Sequence, residues 1–334
     1  GFICFDSSVA GFGRRDRRVK VELLTMVLPY STIIATVCSL SSSPITPMIK
    51  IAPGVSMTRV NLGTCCGSEV EKAFPAWWAA GGRGVDTALD YGKEVPGGKE
   101  SELSAAIAKV GAPRDRLFIT TKIRAGLDIL HGLKFCIGLD ADYAVTAVKA
   151  NLAQLNVSQV DLVLLHAPCY SDQVNAKLWQ GLEQALSQNL TRAIGVSNYP
   201  KKQLAALLAV AKTKPAINQC QMSVAQQEEE MLQFCAEQGI VFEAYAAMRG
   251  CPFDNIQVQS IAAAHSVGVA QVCLRWVLQK GAIMAIGLGS NATRMPSYAK
   301  ANLDLYGFEL SANEMATLDA TGSPIRGGSC AQGY

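Results

Sequence analysis

Eight short, apolar, β-branched runs recur between residues 60 and 288, and longer stretches of helical periodicity separate them. The runs are VNLGT (60–64), GVDTA (84–88), LFITTK (117–122), VDLVLLH (160–166), RAIGVS (192–197), AINQ (216–219), IVFEAY (240–245) and AIMAIGL (282–288). Between them lie segments such as DYAVTAVKANLAQLN, KLWQGLEQALSQN and VAQVCLRWVLQKG, several closed by Gly or Asn as helix ends are. Continuous apolar strands alternating with helices imply parallel strands buried on both faces. An open doubly wound sheet and a closed (β/α)8 TIM barrel both satisfy that pattern. The count of eight, spread over roughly 270 residues, favours the barrel, whose usual size is about 250. MIKIAP and SMTRV, flanking Pro53-Gly54, read as an N-terminal β-hairpin placed to plug the barrel floor.

No linker-like stretch interrupts the rhythm, so residues 46–322 are read as one domain, followed by a short tail at 323–334. Residues 1–45 differ. A basic stretch, GRRDRRVK (13–20), precedes an apolar and then Ser-rich run at 23–43. That order resembles a targeting segment, while Pro29, Ser31 and Thr32 interrupt it too often for a stable membrane span. It leaves the compartment open between the cytoplasm and organelle or secretory targeting.

Charged residues make up only 17% of the chain, the net charge is +3, and no aromatic residues interleave with a basic stripe. Nucleic-acid binding lacks its electrostatic footprint. The 11 Cys are scattered without paired CxxC motifs, so no metal site is expected. Adjacent Cys65 and Cys66 look poorly placed for a local bridge, and free buried thiols are the expectation.

A barrel carries its chemistry at the C-terminal ends of its strands. Those ends hold Asp86 with Tyr91 beyond it, Lys122, His166, Ser197-Asn198, Gln219, Tyr245 and Gly289-Ser290-Asn291. Any one has a plain structural reading: Asp86 as a helix cap, Lys122 reaching solvent, His166 as a satisfied structural histidine. The plain reading must hold separately at every end, and together the residues suit one reaction. A phenol has a pKa of about 10, and a nearby ammonium favours its ionised form. A carboxylate would keep that ammonium charged, and a histidine beside the phenol would orient a carbonyl oxygen. The result is a general acid aimed at a carbonyl, with a cofactor needed to bring hydride. Asp90, beside Tyr91, is read as a solvated neighbour.

These segments resemble the aldo-keto reductases. GVDTALDYGKE is similar to that family's Asp-Thr-Ala…Tyr segment, FITTK to its active-site Lys strand, VDLVLLHAP to its His strand, RAIGVSNY to its Ser-Asn segment and AINQCQ to its Asn-Gln segment. The resemblance spans about Met48 to Asp319, with the motifs in order. It implies an NADP(H)-dependent reductase of aldehydes or ketones, with NAD(H) as the alternative cofactor. In that reading Tyr91 is the general acid, supported by Lys122 and Asp86, and His166 positions the carbonyl. Ser197, Asn198 and Gln219 would hold the nicotinamide carboxamide, with Tyr245 stacked on the ring and Gly63, Thr64 and Asp86 beside it. Gly289, Ser290, Asn291 and Arg294 would take the cofactor phosphates, and Asn302 the adenine.

Three departures stand out. Leu288 or Gly289 occupies the region where many relatives carry a Lys for the 2′-phosphate. GTCCG replaces a bulky aromatic on the pocket wall, and the tail after Asp319 is short. The partner implied is a small carbonyl compound, and the chain is expected to act as a monomer. Two other functions fit the same scaffold: a cofactor-binding regulatory protein with little turnover, and a Schiff-base aldolase using Lys122.

Overall fold

The computed structural model describes residues 47–91, 98–124, 127–130, 133–136 and 138–321. The targeting-like segment at 1–45 and the tail at 323–334 lie outside the described residues. The chain opens with an antiparallel hairpin, β1 (Met48–Ala52) and β2 (Val55–Thr58), turned at Gly54 with φ of 71°. Then β3 (Val60–Gly63), α1 (Val70–Ala79), β4 (Gly84–Asp86) and α2 (Gly98–Val110) begin the strand–helix alternation. It continues with β5 (Phe118–Ile123), a small hairpin of β6 (Leu127–Leu130) and β7 (Leu133–Phe135), α3 (Ala141–Leu155), β8 (Val160–Leu165) and α4 (Asp172–Ser187). Next come β9 (Thr191–Ser197), α5 (Lys201–Leu208), β10 (Ile217–Gln221), α6 (Glu229–Gln238) and β11 (Val241–Tyr245). Helices α7 (Ile256–Ala264) and α8 (Val269–Gln279), β12 (Ile283–Ile286), α9 (Met295–Leu303) and α10 (Ala312–Thr321) complete the order.

Eight parallel strands close in the order β3-β4-β5-β8-β9-β10-β11-β12, with β12 pairing back to β3. Each of the eight apolar runs in the sequence forms one of them. Side chains alternate along a strand, so every second residue faces the barrel interior. The lower interior layer is apolar: Phe118, Leu162, Leu164, Ala193, Ile217 and Ile283 pack against Ile51, Val55 and Met57 of the hairpin. The hairpin thus closes the barrel floor. Continuing upward by steps of two from Phe118, Leu164, Ala193 and Ile217 reaches Lys122, His166, Ser197 and Gln219. The pleat that buries the floor also delivers polar residues to the mouth. At the crowded level between them, a Cβ on Gly84 would stand 1.9 Å from Asn61 Oδ1, so only glycine fits.

The outer layer forms where helices cover the strands. Asp140 caps α3 by accepting from Tyr143 N, and α6 stops at Gly239 in the left-handed region at φ 61°. Helix α1 carries an internal Pro75, a residue that removes a helical hydrogen bond. It forms because Val70, Ala73, Phe74 and Trp77, spaced i, i+3, i+4, i+7, are all fully buried. No single helix among the described residues is long and apolar enough to cross a membrane.

The cysteines correct the expectation of free thiols. Cys65–Cys66, Cys136–Cys169 and Cys251–Cys273 are disulfide-bonded, and Cys220 is bridged as well. Cys235 is the free cysteine among the described residues, and it is buried. Sequence neighbours Cys65 and Cys66 meet because Cys66 takes a left-handed backbone, φ 62°.

Candidate active site

At the C-terminal mouth of the barrel lies a cavity of about 560 Å³. Asp86, Tyr91, His166, Ser197, Asn198, Gln219 and Tyr245 all line it. Lys122 sits behind this wall, 1% exposed. Its ammonium donates to Asp86 Oδ1 at 2.5 Å and to the Thr87 carbonyl at 3.1 Å, and lies 5.0 Å from the centre of the Tyr91 ring. The Tyr91 and His166 rings meet edge to face with centroids 5.5 Å apart. Three strands and the turn after β4 therefore bring the four expected catalytic side chains together.

The polar network runs deeper than the mouth. Gln219 Nε2 donates to Asp86 Oδ2 at 2.8 Å and to Glu243 Oε2 at 2.7 Å. Glu243 Oε1 accepts from Asn61 Nδ2 at 3.1 Å, and Asn61 Oδ1 accepts from the Thr58 hydroxyl. Both protons of the Gln219 amide nitrogen are engaged, which leaves its oxygen for the cavity. Ser197 donates to the Gln219 carbonyl, and Asn198 donates to the His166 carbonyl and to Ser197 Oγ. Tyr245 donates to Asn198 Oδ1 at 2.8 Å, so its phenol ring is tethered at the cavity wall.

Burial dominates the electrostatics. It pushes the Tyr91 phenol up to about 12, because the cost of a buried phenolate and the nearby acids outweighs the attraction of Lys122. That reverses the direction expected from an ammonium alone. Lys122 moves upward too: burial works against its charge, but Asp86 and Tyr91 outweigh it. Glu243, fully buried beside Asp86, is raised for the same desolvation reason. Glu100, 0% exposed at the start of α2, is pushed up to about 8 by burial despite accepting from the Thr121 hydroxyl.

Asp90 is not a solvated neighbour. His166 Nδ1 stands 3.1 Å from its Oδ1 and 3.2 Å from its Oδ2, and Arg124 Nε lies 3.3 Å from Oδ2. The turn that carries Tyr91 into the cavity also folds Asp90 onto the histidine. Burial alone would raise this carboxyl, but the His166 hydrogen bond and the charges of His166, Arg124 and Lys122 hold it below the usual carboxylate range.

The residues expected at the cofactor's far end are spread more widely. Gly63 and Gly289 line the cavity. Thr64 is buried beside it, with a hydroxyl that has no hydrogen-bond partner. Ser290, Asn291 and Arg294 are exposed on the turn into α9, outside the cavity lining, and Asn302 is buried within that helix. Cys65 and Cys66 of GTCCG line the cavity wall, as expected of that segment; sequence reading did not single out Arg124, Arg249 and Ser68, which also line it, nor the buried Glu243 and Asn61. Glu243 had a visible signal: an acid inside the apolar run IVFEAY, two positions before Tyr245 and so on the same face.

The donor set suits a dinucleotide. It offers the Gln219 amide oxygen, a tethered aromatic ring, the unpaired Ser68 and Thr64 hydroxyls, glycine backbone at 63, 287 and 289, and the exposed Arg249 cation. Comparison with known proteins agrees. The model of the Aldo/keto reductase family matches residues 63–322. An aldo-keto reductase of Mycolicibacterium vanbaalenii is 35% identical over 261 residues, covering 78% of this chain and 86% of the relative. The NADPH-dependent codeinone reductase 1-4 of Papaver somniferum is 30% identical over 297 residues, covering 80% and 87%. The crystal structure of a Bombyx mori aldo-keto reductase in complex with NADP superposes with a TM-score of 0.69 at 26% identity, covering 83% of this chain and 93% of that one. The closed barrel, the polar residues at its mouth and these matches have one meaning: the chain belongs to the aldo/keto reductase family.

Proposed function

We propose that the mouth of this barrel reduces a small aldehyde or ketone with Tyr91 as the proton donor. The reaction is that of the family, reversible NADP(H)-dependent carbonyl reduction, and the cofactor supplies the hydride. Tyr91 gives its phenol proton to the carbonyl oxygen as that oxygen gains charge. Lys122, kept charged by Asp86, stabilises the phenolate left behind. His166 orients the carbonyl oxygen. Gln219, with its amide nitrogen spent on two carboxyl groups, presents its oxygen to the carboxamide N–H of the nicotinamide. Asn198 fixes Ser197, Tyr245 and the His166 backbone in one unit. Gly289, Ser290, Asn291 and Arg294, with Arg249, take the phosphates, and Asn302 the adenine.

The observation that carries the reading is the convergence of Tyr91, His166 and the Lys122–Asp86 pair on one cavity wall. It also argues against a Schiff base at Lys122, whose amine is protonated, paired and shut away from the cavity. The test is NADPH oxidation with a panel of small aldehydes and ketones. Tyr91→Phe should lower kcat by about 10²–10⁴, the usual range for losing a general acid, while NADPH binding by fluorescence is retained. Equal turnover by wild type and Tyr91→Phe would end the assignment.

A further inference from the structure

The Asp90 contact constrains where His166 can carry its protons. An ionised carboxylate accepts hydrogen bonds and donates none. Asp90 is held in its ionised form and its Oδ2 stands 3.2 Å from His166 Nδ1 in a hydrogen bond, so Nδ1 must carry a hydrogen. Neutral imidazole has one N–H. With that hydrogen fixed on Nδ1, Nε2 of the neutral ring is an acceptor, and it repels the lone pairs of a carbonyl oxygen. Only the imidazolium can place a second hydrogen on Nε2. We propose that Asp90 is a positioning residue that makes His166 work as an imidazolium, so carbonyl reduction requires a proton on His166 in addition to the one Tyr91 delivers.

The inference rests on the carbonyl-reductase reading of the same cavity and deepens it. Protons and electrons balance without any new reagent. Hydride goes to the carbonyl carbon, the π electrons go to oxygen, and the Tyr91 O–H bond breaks as the new O–H bond forms. The imidazolium keeps both of its protons through this step and polarises the oxygen. The phenolate regains a proton from solvent in a later step. The arrangement also offsets the raised phenol, because a full positive charge at the oxygen lowers the demand on a weak acid. Conversely, alcohol oxidation favours the neutral ring, whose Nε2 can accept the hydroxyl hydrogen.

The groups around His166 are Asp90 and Tyr91 from the turn after β4, Asp86 from β4 itself, Lys122 from β5, and Arg124 just after β5. Tyr143 of α3 is close enough to feel the charges of Arg124 and Asp90. Arg124 shares Asp90 with His166, so the pair is a three-member unit and its carboxylate stays charged when the histidine is neutral.

Two measurements on the full chain test this. The first is the tautomer of His166 by ¹⁵N NMR, assigned by difference against His166→Gln; it needs no turnover. A neutral ring should show its hydrogen on Nδ1 in the wild type. Asp90→Asn can donate its amide N–H to Nδ1, and should move the hydrogen to Nε2. A wild-type neutral ring with hydrogen on Nε2 overturns the proposal. The second is kcat/KM for NADPH-dependent aldehyde reduction between about pH 6 and pH 9. The wild type should fall about tenfold per unit along the limb where the imidazolium is lost, and Asp90→Asn should flatten that limb. A merely structural role for Asp90 would lower the whole profile without changing its shape, and that result also overturns the proposal. If the wild type turned over no carbonyl at all, the reductase reading would fail while the tautomer measurement still decided the role of Asp90.

Discussion

Lys122 is 1% exposed, yet its charge persists because Asp86, the Thr87 carbonyl and the Tyr91 ring surround it. A charge so placed is stable only with its partner, and removing one member of a buried pair costs about 3–5 kcal/mol. Glu100 shows the opposite solution. It is equally buried, makes no ion pair among the described residues, and its Oε2 has no hydrogen-bond partner, so burial outweighs the pull of the Lys122 charge. Its carboxyl therefore stays protonated in the folded chain to about 8, against 4.5 for the ordinary group. The native state then holds a proton that the unfolded chain has released. This contribution to stability is complete below about 4.5 and is lost as pH rises through about 8. Glu100→Gln cannot ionise, so its melting temperature should fall less than the wild type's between pH 6 and pH 9. Parallel melting profiles for the two proteins would contradict the neutral-acid assignment.

Strand ends and helix starts set where these residues stand, and they differ in how openly the sequence declares them. The eight barrel strands were legible because each is a β-branched run, buried on both faces, with no competing period. Their polar ends were legible for a related reason: Lys122 and His166 close otherwise apolar segments. Helix α1 was not, because Pro75 breaks the local rule and only tertiary burial of Phe74 and Trp77 overrides it. Asp90 was not, because its partner lies 76 positions away, and periodicity carries no information about a contact made by a turn. The direction of the Tyr91 shift was missed for a further reason: a sequence names the neighbouring charge but not the depth of burial. The start of α9 tests an element-scale assignment. Arg294 is its N-cap residue, exposed, and among the described residues its guanidinium makes only a 3.5 Å contact to Tyr298 Oη. A helix N-terminus and a free guanidinium together suit a phosphate. Arg294→Ala should raise the Kd for NADPH by about tenfold, worth about 1.4 kcal/mol, and change that for NADH much less. Equal loss for both cofactors would place Arg294 away from the 2′-phosphate.

Across the whole molecule, the barrel separates stability from chemistry by level. The hairpin and the apolar layer close the floor, the Asn61–Glu243–Gln219–Asp86 column crosses the interior, and the loops at the mouth carry the cavity. Two of the bridges, Cys65–Cys66 and Cys136–Cys169, sit on those loops. Cys136 follows β7 and Cys169 follows His166 by three residues, so one disulfide ties the segment after β5 to the segment after β8. Cys169 is also anchored through its backbone, donating to Asn175 Oδ1 at 2.7 Å and accepting from Gln203 at 2.6 Å. The bridge spans 33 positions, and a closed loop of that length is worth about 4 kcal/mol in the chain-entropy model. Its loss should act on two properties at once. Replacing both cysteines, Cys136→Ser with Cys169→Ser, should lower unfolding free energy by about 2–4 kcal/mol as read by denaturant titration. The same pair should raise KM for carbonyl substrates more than Kd for NADPH. The reason is spatial: the bridged segments flank His166 and Arg124, whereas the residues assigned to the cofactor phosphates lie on the turn into α9 and beside β11. Stability lost with both constants unchanged would make the bridge a staple of the fold alone; a larger effect on NADPH binding than on KM would contradict this division of the mouth.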